Sequence, residues 1–124
     1  MNEKTTILIV DDEEYVANVA QVALRRRGYE VIVARTGQAA LEHVRANPGK
    51  IALALLDLRM PDKDGVDLLP VLQAIDPELK VILSSGYFEA DIRNRVDEEV
   101  AFLQKPYTAQ KLGAAVEAAL KLHQ

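Results

Sequence analysis

The chain contains no cysteine, which excludes a disulfide framework and a thiolate zinc site and leaves nothing to indicate an oxidising compartment. It also has no excess of positive charge: 15 Lys and Arg stand against 19 Asp and Glu, for a net charge of −4. Without a broad cationic surface, neither nucleic acid nor an anionic membrane is expected as a direct partner, and a protein surface is the better expectation. Long apolar runs are missing too. The first, Ile7-Leu8-Ile9-Val10, is four residues long, far short of a signal-peptide core or a membrane span, so a cytoplasmic location is expected. Histidine is scarce: His43 falls on an expected helix and His123 at the end, and both read as surface residues without a catalytic or phosphate-relaying partner.

What remains suits one domain. With 124 residues, 49% of them hydrophobic, the chain can bury a core without disulfides or a structural metal. No internal repeat, low-complexity tract or linker interrupts it, so residues 1–124 are expected to form a single domain with no output domain in the chain.

Short apolar runs alternate with helical patterns. Ile7 to Val10 is β-branched and apolar throughout, as a strand covered on both faces must be, and acids end it. From about Glu13 to Arg27, Val16, Val19, Ala20, Ala23 and Leu24 fall on one helical face, and Arg25-Arg26-Arg27 and Gly28 close that helix. The three arginines complement the helix dipole, which explains them without a nucleic-acid patch. Val31 to Ala34 reads as a second strand. Thr36 can then cap a helix carrying Ala39, Ala40, Leu41 and Val44, which Asn47-Pro48-Gly49 stops. Ile51 to Leu56 ends at Asp57, and a turn-rich loop with Asp62, Asp64 and Gly65 leads into a helix over Val66 to Ile75. Val81 to Leu83, a short polar helix from Glu89 to Arg95, a weak strand over Val100 to Leu103 and a last helix from Thr108 to Leu122 complete the pattern.

Strand and helix alternating five times predict an α/β fold, a doubly wound parallel sheet with helices on both faces. Ligands of such sheets bind beyond the carboxyl ends of the strands, where Asp11, Asp12, Asp57, Ser85 and Lys105 all fall. Three carboxylates converging there repel one another unless a cation lies among them, and an all-oxygen set with few protein ligands favours Mg²⁺ over zinc or calcium. An aspartate beside Mg²⁺ is a competent nucleophile toward a phosphoryl group, and Lys105 and the Ser85 hydroxyl can meet the resulting phosphoryl oxygens. Taken singly, each is unremarkable. Asp12 could cap the first helix, Asp57 could be a turn residue, and Asp62, Asp64 and Asp67 are expected to shape the turn and cap the helix after it.

Ile-Leu-Ile-Val-Asp-Asp-Glu at 7–13, Leu-Leu-Asp-Leu-Arg-Met-Pro-Asp-Lys-Asp-Gly at 55–65, Ser-Ser-Gly-Tyr at 84–87 and Phe-Leu-Gln-Lys-Pro-Tyr at 102–107 together resemble the receiver domain of two-component response regulators. The resemblance runs from about Thr6 to Leu122. It implies a flavodoxin-like (βα)5 fold with strand order 2-1-3-4-5. It implies further that Asp57 accepts a phosphoryl group from a sensor histidine kinase or a histidine phosphotransfer protein. Asp12 would bind Mg²⁺ directly, Asp11 through water, and the Arg59 backbone carbonyl would complete the protein ligands. Lys105 would pair with Asp57 or its phosphate, Ser85 would turn inward to a phosphoryl oxygen, and Phe102 would rotate behind it. This switch would alter a surface of the fourth helix, fifth strand and fifth helix that meets a downstream effector protein or output domain. Such a domain is not an enzyme beyond its own phosphorylation and dephosphorylation.

Four positions are less usual for the family. Ser85 replaces threonine and Phe102 replaces tyrosine, while Arg59 and Tyr87 place bulk where family members tune phosphate lifetime, which predicts slow hydrolysis. Competing functions fit less well. A Mg²⁺-dependent aspartyl-phosphate phosphohydrolase needs a second acid two residues after its nucleophile, and Arg59 stands there. A nucleotide module would put phosphate against Asp11-Asp12 in place of glycines and hydroxyls. An unphosphorylated receiver-like scaffold would be expected to lack Asp57, Lys105 or one of the pair.

Overall fold

A computed structural model describes residues 4–87, 89–97 and 99–121. Five parallel strands, β1 (Thr6–Val10), β2 (Glu30–Ala34), β3 (Ile51–Asp57), β4 (Lys80–Ser85) and β5 (Ala101–Gln104), form one sheet in the order β2-β1-β3-β4-β5. The doubly wound expectation and its strand order are met. Ile7 to Val10 are at most 1% exposed, because β1 lies inside the sheet with neighbours on both edges and helices on both faces.

The helices are α1 (Glu14–Arg26), α2 (Gly37–Ala46), α3 (Gly65–Ile75), α4 (Glu89–Ile92) and α5 (Ala109–Lys121). Alternation along each strand splits the core in two. Leu8, Val10, Ala54, Leu56 and Leu83 meet residues of α2 and α3, whereas Ile7, Ile9, Leu53, Leu55 and Ile82 meet residues of α1 and α5.

Local chemistry sets the helix ends. Thr36 Oγ1 accepts the Ala39 N–H at 3.0 Å, Asp64 Oδ1 the Val66 N–H at 2.8 Å, and Thr108 Oγ1 the Lys111 N–H at 3.0 Å. The expected polar helix from Glu89 to Arg95 divides into α4 and a 3₁₀ turn over Arg93–Arg95. Arg93 pins this segment by donating to the Val100 carbonyl at 2.7 Å. Leu122 and His123 lie outside the described residues.

Three local expectations change. Asp12 does not cap α1: Asp11 Oδ1 instead accepts the Glu13 N–H at 2.9 Å, since a residue two positions ahead closes that turn. Asp62 caps α2, not the helix that follows it. The buried stripe of α1 is Ala17, Ala20, Ala23 and Leu24, small enough to let the helix lie close to the sheet and α5. The helix is rotated from the expected face, so Val19 is 39% and Val22 50% exposed, in line with Tyr15 at 80%.

Candidate functional site

The site is assembled where β1, β3, β4 and β5 end. Asp11 follows β1, Asp57 closes β3, Ser85 closes β4 and Lys105 follows β5, so the parallel order brings all four to one edge. Asp11 and Asp57 are buried and Asp12 is exposed. Carboxylate oxygens from these three lie within 4.8 Å of one another.

Lys105 is the cation among them. Its Nζ lies 2.9 Å from Asp11 Oδ2, 3.3 Å from Asp57 Oδ2 and 3.3 Å from Glu13 Oε1. Burial disfavours its charge, yet the hydrogen bond to Asp11 and the charges of Asp57 and Asp11 outweigh burial and hold the ammonium above its ordinary pKa. Asp57 responds the other way. Burial, aided by the charge of Asp11, pushes its carboxyl up to about 6 although Lys105 and the Arg59 N–H favour the anion.

Asp57 and Lys105 line a cleft of about 920 Å³ with Asp12, Glu13, Tyr15, Ser85 and Tyr107. Ser85 is 2% exposed, and its Oγ accepts the Tyr87 N–H at 2.9 Å. Across the mouth, Arg59 Nη1 donates to the Tyr87 hydroxyl at 2.7 Å, joining the loop after β3 to the loop after β4. Phe102 is half-buried on β5 beside Leu83 and packs against the α2/α3 side of the core. Asp64 and Asp67 stand apart from the acid cluster, Asp64 as the α3 cap and Asp67 in its first turn.

Two site residues escaped the sequence reading. Glu13 is a third acid on Lys105, and its place directly after the aspartate pair was the available signal. Tyr107 lines the cleft, its hydroxyl pushed up to about 12 by burial and by the charge of Asp11. It stands two residues after Lys105 in the turn that follows β5, where no periodicity in the sequence marks it.

The loop after β3 is set by Gly65. A Cβ there would lie 2.6 Å from the Asp57 carbonyl oxygen and 2.8 Å from Leu58 Cα, so only a hydrogen lets α3 start so close behind β3. The close approach carries the Gly65 N–H to the Leu58 carbonyl at 2.7 Å.

The sequence profile of the response regulator receiver domain matches residues 7–117. The chain belongs to this family. It is 36% identical over 123 residues to the sensor kinase CckA of Brucella abortus, covering 98% of the chain and 13% of that protein. It is 32% identical to sporulation initiation phosphotransferase F of Bacillus subtilis, covering 98% of the chain and 97% of that protein. The crystal structure of the receiver domain from the hybrid histidine kinase CckA superposes with a TM-score of 0.81 at 36% identity, covering 93% of this chain and 98% of that one. Against the first curated relatives the chain spans only 13% to 27% of their length. It is thus a receiver domain of the two-component type, related to the receivers of sensor kinases and response regulators alike. Among the described residues of this receiver, no helix is long and apolar enough to cross a membrane.

Proposed function

We propose that this receiver is a Mg²⁺-dependent phosphoacceptor in a phosphorelay, with Asp57 as the residue modified. The observation that carries the reading is the placement of Asp57: a buried carboxylate on the floor of an open cleft, between an aspartate pair and an ammonium. The donor set fits the metal. Asp11, Asp12 and Asp57 offer hard carboxylate oxygens within 4.8 Å, and the Arg59 carbonyl is the further ligand assigned to it. When bound, Mg²⁺ supplies charge neutralisation between the carboxylate and the incoming phosphoryl oxygens.

The protein's own residues do the rest. An Asp57 oxygen attacks phosphorus, the bond from phosphorus to the donor's imidazole nitrogen breaks, and its electron pair leaves on that nitrogen. Lys105 moves from carboxylate to phosphoryl oxygen as counter-charge, and Ser85 gives up the Tyr87 N–H to donate to another phosphoryl oxygen. Phe102 follows Ser85 and changes the surface near β5, the two-state element through which a downstream effector or output domain is addressed. The donor is a sensor histidine kinase or a histidine phosphotransfer protein. Its access lies over Tyr15 and Val19, exposed side chains of α1 that line the cleft. Arg59 bridged to Tyr87 shields the phosphate and lengthens its life. The domain acts on its own aspartate only, as a cytoplasmic signalling part and not as an enzyme on other substrates.

The test is incubation with acetyl phosphate and Mg²⁺, followed by intact mass. Wild type gains one phosphoryl group, Asp57→Ala gains none, and chelation of Mg²⁺ abolishes the gain. Equal labelling of wild type and Asp57→Ala would overturn the assignment.

A further inference from the structure

The turn between β2 and α2 supplies none of the acids, yet it touches both loops that carry the metal ligands. Arg35 Nη2 donates to the backbone carbonyl of Asp12 at 2.7 Å. On the other side, Asp62, from the loop after β3 that carries Arg59, accepts the Gly37 N–H at 2.8 Å and the Gln38 N–H at 3.0 Å. Thr36 takes the Ala39 N–H, so the first three donors of α2 are filled, two of them from a distant loop. Lys63 completes the seat. A Cβ at Gly37 would lie 3.0 Å from Lys63 Cβ and Cδ, so the loop after β3 rests directly on the start of α2.

Asp12 and Arg59 both lie beyond the ends of the parallel ladder, and Arg59 is paired there with Asp64 of its own loop by an isolated bridge, so the loop as a whole takes its position from what it rests on. Mg²⁺ tolerates little departure from octahedral geometry, and binding constellations need support to within about half an ångström. A charge-assisted bond from Arg35, and a carboxylate on two amides at a helix N-terminus, are among the stronger restraints a surface loop can have. Those two N–H groups also hold the Asp62 carboxyl below its usual range. We propose that Arg35 and Asp62 are positioning residues for Mg²⁺: the β2–α2 turn braces the Asp12 loop through Arg35 and the Arg59 loop through Asp62. The inference rests on the reading that Asp11, Asp12 and Asp57 seat Mg²⁺.

Charge alone predicts the opposite for Arg35. A guanidinium near the acids repels a dication, so its removal would tighten Mg²⁺ binding, weakly, because the side chain is exposed and screened. The sign of the change therefore decides between brace and bystander. MgCl₂ is titrated into wild type, Arg35→Gln, Arg35→Lys and Asp62→Ala at fixed ionic strength, following the amide resonances of residues 12 and 59. With the brace acting, Arg35→Gln and Asp62→Ala each weaken Mg²⁺ binding about tenfold, the scale of lost ligand support. Arg35→Lys, which keeps a donor and the charge, restores most of it. Binding by Arg35→Gln as tight as wild type or tighter overturns the proposal while leaving the metal site standing. Failure of wild type itself to bind Mg²⁺ overturns the reading beneath it. Circular dichroism of each variant separates loss of the brace from loss of the fold.

Discussion

The Lys105 ammonium is closest to Asp11, at 2.9 Å, although Asp57 is the acid assigned to the chemistry. Lys105 neutralises two buried carboxylates from one side. It is at once the partner of the acids and the competitor of any cation they take up.

Lys105→Met should therefore separate those roles. Leaving Asp11 and Asp57 buried without their cation should cost about 3–5 kcal/mol of stability in the metal-free protein. Mg²⁺ should return most of that loss and bind more tightly than to wild type. Urea unfolding with and without Mg²⁺ measures both. Equal stability of variant and wild type without metal would show that the ammonium is not what holds the acids.

Asp57 makes stability depend on pH in an unusual direction for a carboxylate. Its carboxyl, pushed up by burial to about 6 from an ordinary 3.8, holds the proton more tightly in the folded state. The contribution is fully present below pH 3.8 and is lost as pH rises through 6. Asp57→Asn, which cannot ionise, should thus be more stable than wild type at pH 7 without Mg²⁺, by on the order of 2–3 kcal/mol. The gain should shrink toward pH 4. A gain independent of pH would point to another cause.

Gly65→Ala tests the close packing behind Asp57. The new Cβ would meet backbone at 2.6 Å and 2.8 Å, atoms that cannot swing aside as a side-chain end can. The loss should be about 1–3 kcal/mol by thermal unfolding, with weaker Mg²⁺ binding because the loop after β3 must shift. Unchanged Mg²⁺ affinity would show that α3 gives way and the site does not.

Tyr87→Phe removes the 2.7 Å hydrogen bond to Arg59 and keeps the ring. A bond of this kind contributes about 1 kcal/mol, so the phosphate half-life should shorten about fivefold. Arg59→Ala should do at least as much, and the double variant no more than Arg59→Ala alone. A half-life altered by neither substitution removes the pair from the account of phosphate lifetime.

The acids, the lysine and the serine were legible in the sequence because each closes an apolar run, and parallel strands must share one functional edge. Thr36 and Thr108 were legible as caps, because capping is local. Asp62 was not. It lies in the loop before α3 and reads as a cap for that helix, but its carboxylate crosses to α2, a partner 25 residues away. Likewise the spacing of α1 put Val16, Val19, Ala20, Ala23 and Leu24 on one face, whereas the residues buried are Ala17, Ala20, Ala23 and Leu24. Packing against the sheet and α5 chose the face with smaller side chains, and so exposed Tyr15, Val19 and Val22.

By itself, then, the sequence determined the elements, their parallel sheet and the set of residues at its edge, since hydrophobic period, turn residues and strand endings are properties of short segments. Tertiary structure decided the partners: Lys105 on Glu13 and Asp11, Arg59 on Tyr87, Arg35 on Asp12, and Asp62 on α2. Such pairs join loops from different crossovers. They depend on how far each loop reaches over the sheet, and no local pattern encodes that distance.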